Sequence, residues 1–72
     1  DRETVRALGE AIDRCLTDQE RQVIRLRYGL QGKRPLRQRE VAETTGISRS
    51  YVSRIETRAL EKLRKALEGF QA

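Results

Sequence analysis

A single glycine, Gly46, divides the stretch VAETTGISRSYVSRIE (residues 41–56) into two runs of helix-forming sequence. Glycine adopts the left-handed backbone conformation at which helices commonly end, and Ser48, two residues later, is a good N-cap for a second helix. Two helices joined by so short a turn pack against each other at a steep angle. This turn constrains the fold more than any other feature of the chain, and it predicts a helix-turn-helix.

The other apolar residues recur at helical rather than strand spacing. Thr17 followed by Glu20 is a capping box that starts another helix, the second in chain order, and Gly29 ends this helix. The loop GLQGKRP contains two glycines and the only proline, and it separates this helix from the third. The stripe that precedes the capping box consists of Val5, Leu8, Ile12 and Leu16. We therefore predict an all-α fold, a small four-helix domain with helices at about residues 3–15, 17–29, 37–45 and 48–68.

The long C-terminal helix carries apolar residues on one side and polar residues on the other. Its apolar side consists of Val52, Ile55, Ala59, Leu63 and Ala66. With about 100° of rotation per residue, small or hydrogen-bonding side chains fall in one arc opposite Val52. Serine and threonine donate or accept hydrogen bonds, and arginine can donate two to guanine, so this arc suits the reading of base edges in the major groove. The arc contains Ser50, Ser53, Arg54 and Thr57, with Arg49 at its edge.

Charge is unevenly distributed along the 72 residues, whose net charge is +5. Residues 1–20 hold three basic and six acidic side chains, whereas residues 21–72 hold thirteen basic and five acidic ones. A polar helix face that bears arginine is usually only a solvated face. The tight turn and the basic region together favour binding to a polyanion, and nucleic acid is the first candidate.

Several classes of protein are excluded by what the sequence lacks. It has no histidine and no nucleophile beside a base, so we expect no enzyme activity. Cys15 is the single cysteine and is interpreted as a small core residue; without further ligands, we expect no metal and no cofactor. No signal peptide or membrane-spanning apolar run occurs, so we expect a cytoplasmic protein. The start at Asp1 indicates a piece of a longer chain.

Two stretches, LTDQERQVIRLRYGL and QREVAETTGISRSYVSRIETRALEKLRKAL, resemble a known family. This family is region four of bacterial RNA polymerase sigma factors, particularly the sporulation mother-cell type. The resemblance covers roughly residues 14–68. It implies a single domain, residues 1–72, that docks on the flap of the polymerase beta subunit and recognises the promoter minus-35 element. As part of the holoenzyme, such a domain directs transcription initiation.

The resemblance also assigns roles to individual residues. Its base-reading positions fall on Arg49, Ser50, Ser53 and Arg54, which helical phase had placed at the exposed side or its edge. Its DNA-backbone positions fall on Arg27, Gln38, Arg39 and Arg58. As further backbone contacts we add Arg37, Ser48, Tyr51, Thr57 and Lys62. Leu8, Ile12 and Leu16 are interpreted mainly as core, with a second reading as the groove for the polymerase flap.

Three residues qualify this picture. Arg37 stands where related sequences often have the serine or threonine of a capping box with Glu40, so we expect the start of the third helix to fray. Ser50 stands where the housekeeping pattern has a glutamate, so promoter preference cannot be copied from housekeeping sigma factors. Glu56 lies about 40° from the centre of the buried face, and we expect it to pair with a nearby arginine.

Two alternative functions remain open. A dimeric helix-turn-helix regulator predicts a palindromic site and a self-pairing surface. A module that tethers polymerase or meets an anti-sigma factor predicts no DNA sequence preference. The expected partners are double-stranded promoter DNA and core RNA polymerase, with an anti-sigma factor or an activator in addition and no membrane.

Overall fold

The computed structural model describes residues 2–68, so residues 1 and 69–72 of the predicted domain lie outside it. Four α-helices follow in order: α1 (Arg2–Cys15), α2 (Asp18–Tyr28), α3 (Gln38–Thr45) and α4 (Arg49–Glu68). A 3-10 turn, Leu30–Gly32, lies between α2 and α3, and residues 2–68 contain no strand. The predicted all-α class is confirmed. Each observed helix end lies within one residue of the expected one.

The predicted capping box at the start of α2 is present in both directions. The N–H of Glu20 donates to Thr17 Oγ1 at 3.2 Å, and the N–H of Thr17 donates to Glu20 Oε1 at 2.9 Å. At the other end, Gly29 has the left-handed φ of 62°, and its N–H donates to the Arg25 carbonyl. These caps satisfy backbone groups that the helix itself leaves unpaired.

Arg21 ties α1 to α2 through the carbonyl groups at the end of α1. Its guanidinium donates to the carbonyl oxygens of Ile12, Asp13 and Leu16 at 3.2 to 3.4 Å, and it pairs with Asp18 at 2.9 Å. Carbonyls in the last turn of a helix have no partner within the helix, so one side chain satisfies several of them. Helical spacing does not predict this contact, because an arginine on a helix surface is usually solvated.

The turn between α3 and α4 has the predicted chemistry. Gly46 has a φ of 77°, and its N–H donates to the Ala42 carbonyl at 2.9 Å. Ser48 caps α4 by accepting the N–H of Tyr51 at 3.2 Å. The pair α3–α4 is thus the expected helix-turn-helix, with α4 in the place of the recognition helix.

Two apolar clusters form the core, and α2 contributes to both. Ile24 belongs to the cluster that joins α2 to α1 and the C-terminal half of α4, whereas Val23 belongs to the cluster that joins α2 to the helix-turn-helix. The first cluster consists of Ala11, Ile12, Leu16, Ile24, Ala59 and Leu63. The second consists of Val23, Val41, Val52 and Ile55. The helix-turn-helix therefore packs on α2, which holds α4 at a fixed orientation.

Three expectations about the core are wrong. Cys15 is exposed, because the neighbouring Leu16 takes the buried position at the end of α1. Val5 is 68% exposed, whereas Leu8, one turn further along α1, packs against the first cluster. Ala66 is exposed, and Leu67, one residue further round α4, packs against the first cluster instead.

Candidate nucleic-acid interface

The first turns of α4 present their polar side chains outward, as helical phase predicted. Val52 is fully buried, and Arg49, Ser50 and Arg54 are exposed around it. The two arginines form no ion pair or hydrogen bond within residues 2–68. Because their hydrogen-bond donors have no partner in the described fold, they are available to an external acceptor.

Ser53 and Thr57 occupy the same side with less freedom. Ser53 is half-buried, and the Thr57 hydroxyl donates to the Ser53 carbonyl at 3.0 Å. Threonine often makes this bond to the preceding turn of its own helix. The Thr57 side chain therefore has only its acceptor capacity left for an outside group, which suits a base donor better than a phosphate.

The residues expected to contact the DNA backbone divide into two groups. Arg37, Arg39, Tyr51 and Arg58 are exposed, and Arg39 lies only within a loose 3.8 Å of Glu43. The second group makes close contacts inside the domain: Ser48 caps α4, Thr57 donates to the Ser53 carbonyl, Lys62 pairs with Glu20, and Arg27 and Gln38 both contact Glu56. The part of each residue in DNA binding stays a prediction.

Glu56 is the centre of a polar cluster behind the exposed side of α4. It is 6% exposed, and its Oε1 accepts a hydrogen bond from Gln38 Nε2 at 2.9 Å. Its Oε2 accepts a hydrogen bond from the Tyr28 hydroxyl at 2.8 Å, and this bond, together with burial, raises the pKa of Tyr28 above its ordinary value. Arg27 Nε lies 3.3 Å from Oε1. The predicted pairing of Glu56 with an arginine is confirmed, whereas helical phase could not identify its partners on α2 and α3.

Arg27 is held at two points. Its Nη1 donates to the Leu36 carbonyl at 3.2 Å, and Leu36 in turn donates its N–H to the Leu26 carbonyl at 3.0 Å. Arg27 Nε is buried and faces Glu56 as an ion pair, without the alignment of a hydrogen bond. The start of α3 is therefore fixed to the end of α2.

An apolar groove of about 280 Å³ lies between α1, α2 and α4. Of the residues expected to contact the polymerase flap, Leu8 and Ile12 line it, whereas Leu16 is buried in the first cluster and does not. Leu60 is 41% exposed at its edge. The full lining consists of Leu8, Ile12, Ile24, Tyr28, Leu30, Leu60 and Leu63.

Residues 2–68 show neither of two other kinds of site. They contain no group of three or more side chains placed to hold a metal ion. Within the same range, no helix has the length and hydropathy to cross a membrane.

Comparisons with known proteins agree with the geometry of the helix-turn-helix. A family model described as "Sigma-70, region 4" matches residues 14–65. No solved structure matches the chain. The chain is 44% identical over 52 residues to an RNA polymerase sigma-E factor of Clostridium acetobutylicum, a match that covers 72% of this chain and 22% of that protein.

Two further relatives come from Bacillus. An RNA polymerase sigma-K factor of Bacillus subtilis is 58% identical over 48 residues, covering 67% of this chain and 16% of the relative. An RNA polymerase sigma-28 factor of Bacillus thuringiensis subsp. kurstaki is 54% identical over 54 residues, covering 75% of this chain and 22% of the relative. The match thus spans about a fifth of each relative's length. The sigma-E and sigma-K factors fit the predicted mother-cell type. The chain belongs to the sigma-70 region 4 family.

Proposed function

We propose that this chain recognises the promoter minus-35 element as part of RNA polymerase holoenzyme and thereby directs transcription initiation. The observation that carries the proposal is the arrangement at the start of α4. Arg49, Ser50 and Arg54 point outward, while Val52 fixes the opposite side in the core. A helix with this arrangement can enter the major groove, where an arginine donates to guanine O6 and N7.

Exposed cations around α3 and α4 supply the attraction to phosphates that such binding needs. Arg37 precedes α3, Arg39 lies in its first turn, and Arg58 lies one turn beyond Arg54 on α4. Contacts of this kind position the domain on the duplex, and they make its affinity depend on salt. The base-reading side chains then determine which sequence is preferred.

The apolar groove is the proposed contact with polymerase. Concave surfaces lined mainly by apolar side chains are preferred sites for binding other molecules. A helix with apolar side chains on one side could occupy a groove of about 280 Å³ lined by residues such as Leu8, Leu30 and Leu60. We assign this groove to the flap of the beta subunit, which would hold the domain near the promoter and raise its effective concentration there.

Two arginine variants test DNA recognition in holoenzyme that contains this chain. Arg49→Ala should cost about 1 to 3 kcal/mol on the preferred duplex and relax the choice at one base pair, as for a lost bidentate contact. Arg58→Ala should weaken all duplexes alike and reduce the salt dependence. Binding would be measured on duplexes selected from a randomised upstream element.

The salt dependence of the unsubstituted protein provides the second measurement. If about six phosphates are contacted, log affinity should fall with log salt at a slope of roughly −5. If this domain contributes almost nothing to that slope, the result contradicts DNA binding by the domain and favours an interaction module. A uniform loss in both arginine variants would instead place Arg49 on the DNA backbone.

A further inference from the structure

Glu56 is an unexpected residue in a helix that approaches DNA. It is 6% exposed in the middle of α4, in a chain with a net charge of +5. Burying a carboxylate is costly, and a negative charge near a duplex repels phosphates. A role for this side chain in the described fold must therefore outweigh both effects.

The contacts of Glu56 reach two residues expected to meet the DNA backbone. Gln38 stands at the first position of α3 and donates to Oε1 at 2.9 Å. Arg27, near the end of α2, faces the same oxygen at 3.3 Å. Tyr28 donates to the other oxygen at 2.8 Å, which fixes the orientation of the carboxylate. One side chain of α4 thus contacts polar groups of both α2 and α3.

We propose that Glu56 is a positioning residue for DNA binding, which holds Arg27 and Gln38 in register with the reading side of α4. This inference rests on the proposed function. Because both ligands share Oε1, the placement of Arg27 and Gln38 relative to Arg54 follows the position of one carboxylate. The charge of Glu56 is balanced by Arg27, whose side chain as a whole is 33% exposed and can still meet a phosphate.

Charge and positioning predict opposite results when Glu56 is replaced by the isosteric glutamine. If only its charge mattered, Glu56→Gln would remove a repulsion and tighten binding to every duplex. If Glu56 positions Arg27, the same substitution should weaken binding, because a neutral amide no longer holds the guanidinium by an ion pair. The sign of the change therefore distinguishes the two roles.

The experiment uses holoenzyme that contains this chain and a duplex selected by the unsubstituted protein. For Glu56→Gln we expect roughly 3- to 10-fold weaker binding and a salt slope smaller in magnitude by about one, as for one lost phosphate contact. The matched control is Glu61→Gln, which removes the same charge from an exposed position of α4. It should bind as tightly as the unsubstituted protein or tighter, with no smaller slope.

A double substitution separates positioning from a general loss of folding. In Arg27→Ala, the additional change Glu56→Gln should reduce the slope no further, because the residue that Glu56 positions is already absent. A variant that is merely less stable would lower the folded fraction without changing the slope. If Glu56→Gln does not fold, Tyr28→Phe keeps the ring and the carboxylate but removes one hydrogen bond, and it should weaken binding in the same direction.

Two results would overturn the proposal. One is tighter binding by Glu56→Gln, equal to that of Glu61→Gln. The other is a salt slope that Glu56→Gln leaves unchanged although Arg27→Ala reduces its magnitude by about one. Arg49→Ala is measured in parallel. If Arg49→Ala leaves the sequence preference unchanged, the proposed DNA recognition fails. If Arg49→Ala changes the preference while Glu56→Gln gives one of the two results above, only the role of Glu56 is rejected.

Discussion

Lys62 Nζ lies 2.8 Å from Glu20 Oε1, so an ion pair joins the first turn of α2 to α4 across 42 positions of sequence. The same oxygen accepts the N–H of Thr17 at 2.9 Å. Burial of Glu20 tends to raise its pKa, but the hydrogen bonds from Lys62 and Thr17 outweigh this effect and hold the pKa below the ordinary value of 4.5. A lowered pKa means that the folded state stabilises the ionised form of the Glu20 carboxyl group.

The first prediction concerns the acid stability of this contact. The pKa of Glu20 is lower in the folded than in the unfolded state. Its contribution to the free energy of unfolding is therefore complete above about pH 4.5 and is lost as the pH falls through the folded pKa. Glu20→Gln should lower the free energy of unfolding at pH 7 by about 1 to 3 kcal/mol. The difference between variant and parent should shrink at pH 3. Urea unfolding at both pH values measures it.

The control for this prediction is Glu61→Gln, which removes an exposed carboxylate from α4. It should change the free energy of unfolding at pH 7 by less than about 0.5 kcal/mol. A loss in Glu20→Gln that is equally large at pH 3 would show that the ionised pair with Lys62 does not carry the stability.

The second prediction concerns Gly29, which ends α2. A Cβ at this position would clash with the Lys33 carbonyl oxygen and lie 2.7 Å from the nitrogen of Pro35, and the φ of 62° is unfavourable for any other residue. The loop cannot move away easily, because Leu36 is bound to the Leu26 carbonyl. Gly29→Ala should therefore cost about 3 kcal/mol or more in thermal or urea unfolding.

Two other glycines separate the clash from the backbone conformation. Gly46→Ala has an equally unfavourable φ of 77° but no atom within 4 Å of the new Cβ, so it should cost only about 1 kcal/mol. Gly9 lies inside α1 with open space around it, and Gly9→Ala should stabilise the domain by about 0.5 to 1 kcal/mol. Equal losses at Gly29 and Gly46 would contradict the role of the clash.

Much of this fold follows from local sequence signals. Thr17 with Glu20, Gly29, Gly46 and Ser48 each control a hydrogen bond within a few residues, and all of them function as expected. The spacing of apolar residues also identified which side of α4 is buried, because a helix has a fixed rotation per residue. These properties depend on neighbours in sequence, so the sequence alone contains them.

The partners of the charged residues could not be predicted in the same way. Lys62 with Glu20, and Arg27 and Gln38 with Glu56, are pairs between different helices. Their distances depend on how the helices cross, which helical phase does not give. The exposure of Cys15 has the same origin, since packing of α1 on α4 selects Leu16 as the buried neighbour.

The third prediction concerns the start of α3. Glu40 Oε1 accepts the N–H of Arg37 at 2.8 Å, which lowers the pKa of Glu40, but the guanidinium of Arg37 has no acceptor to return a bond to the Glu40 N–H. Half of a capping box is therefore present where the sequence had led us to expect fraying. Arg37→Thr should complete it, as Thr17 does for α2, and raise the free energy of unfolding by about 1 kcal/mol.

The matched control is Arg37→Ala, which removes the guanidinium without adding an acceptor. It should not reproduce the gain, so a similar increase in both variants would mean that the arginine itself is unfavourable in the folded domain. A lower midpoint for Arg37→Thr would show that the arginine stabilises the fold by a contact of its own. Thermal unfolding of the three proteins distinguishes these outcomes.

The last prediction concerns Ser50, which is exposed at the second position of α4 beside Arg49. Serine can donate or accept a hydrogen bond but is short, so under the proposed function it should tolerate several bases at the pair it faces. A glutamate accepts from the amino group of cytosine and disfavours the acceptor-rich edge of guanine. Ser50→Glu should therefore narrow the preference at one base pair toward cytosine, and leave the pair read by Arg49 unchanged.

Sites selected from a randomised promoter library by holoenzyme with and without Ser50→Glu measure this change. Ala66→Glu is the control, because it adds the same charge at an exposed position of α4 roughly 24 Å further along the helix. If added charge alone matters, both variants bind every sequence more weakly and select the same sites. If Ser50 faces a base, only Ser50→Glu changes the pattern of selected sites. Identical patterns in all three proteins would mean that Ser50 does not face a base, and that the reading side of α4 is rotated away from it.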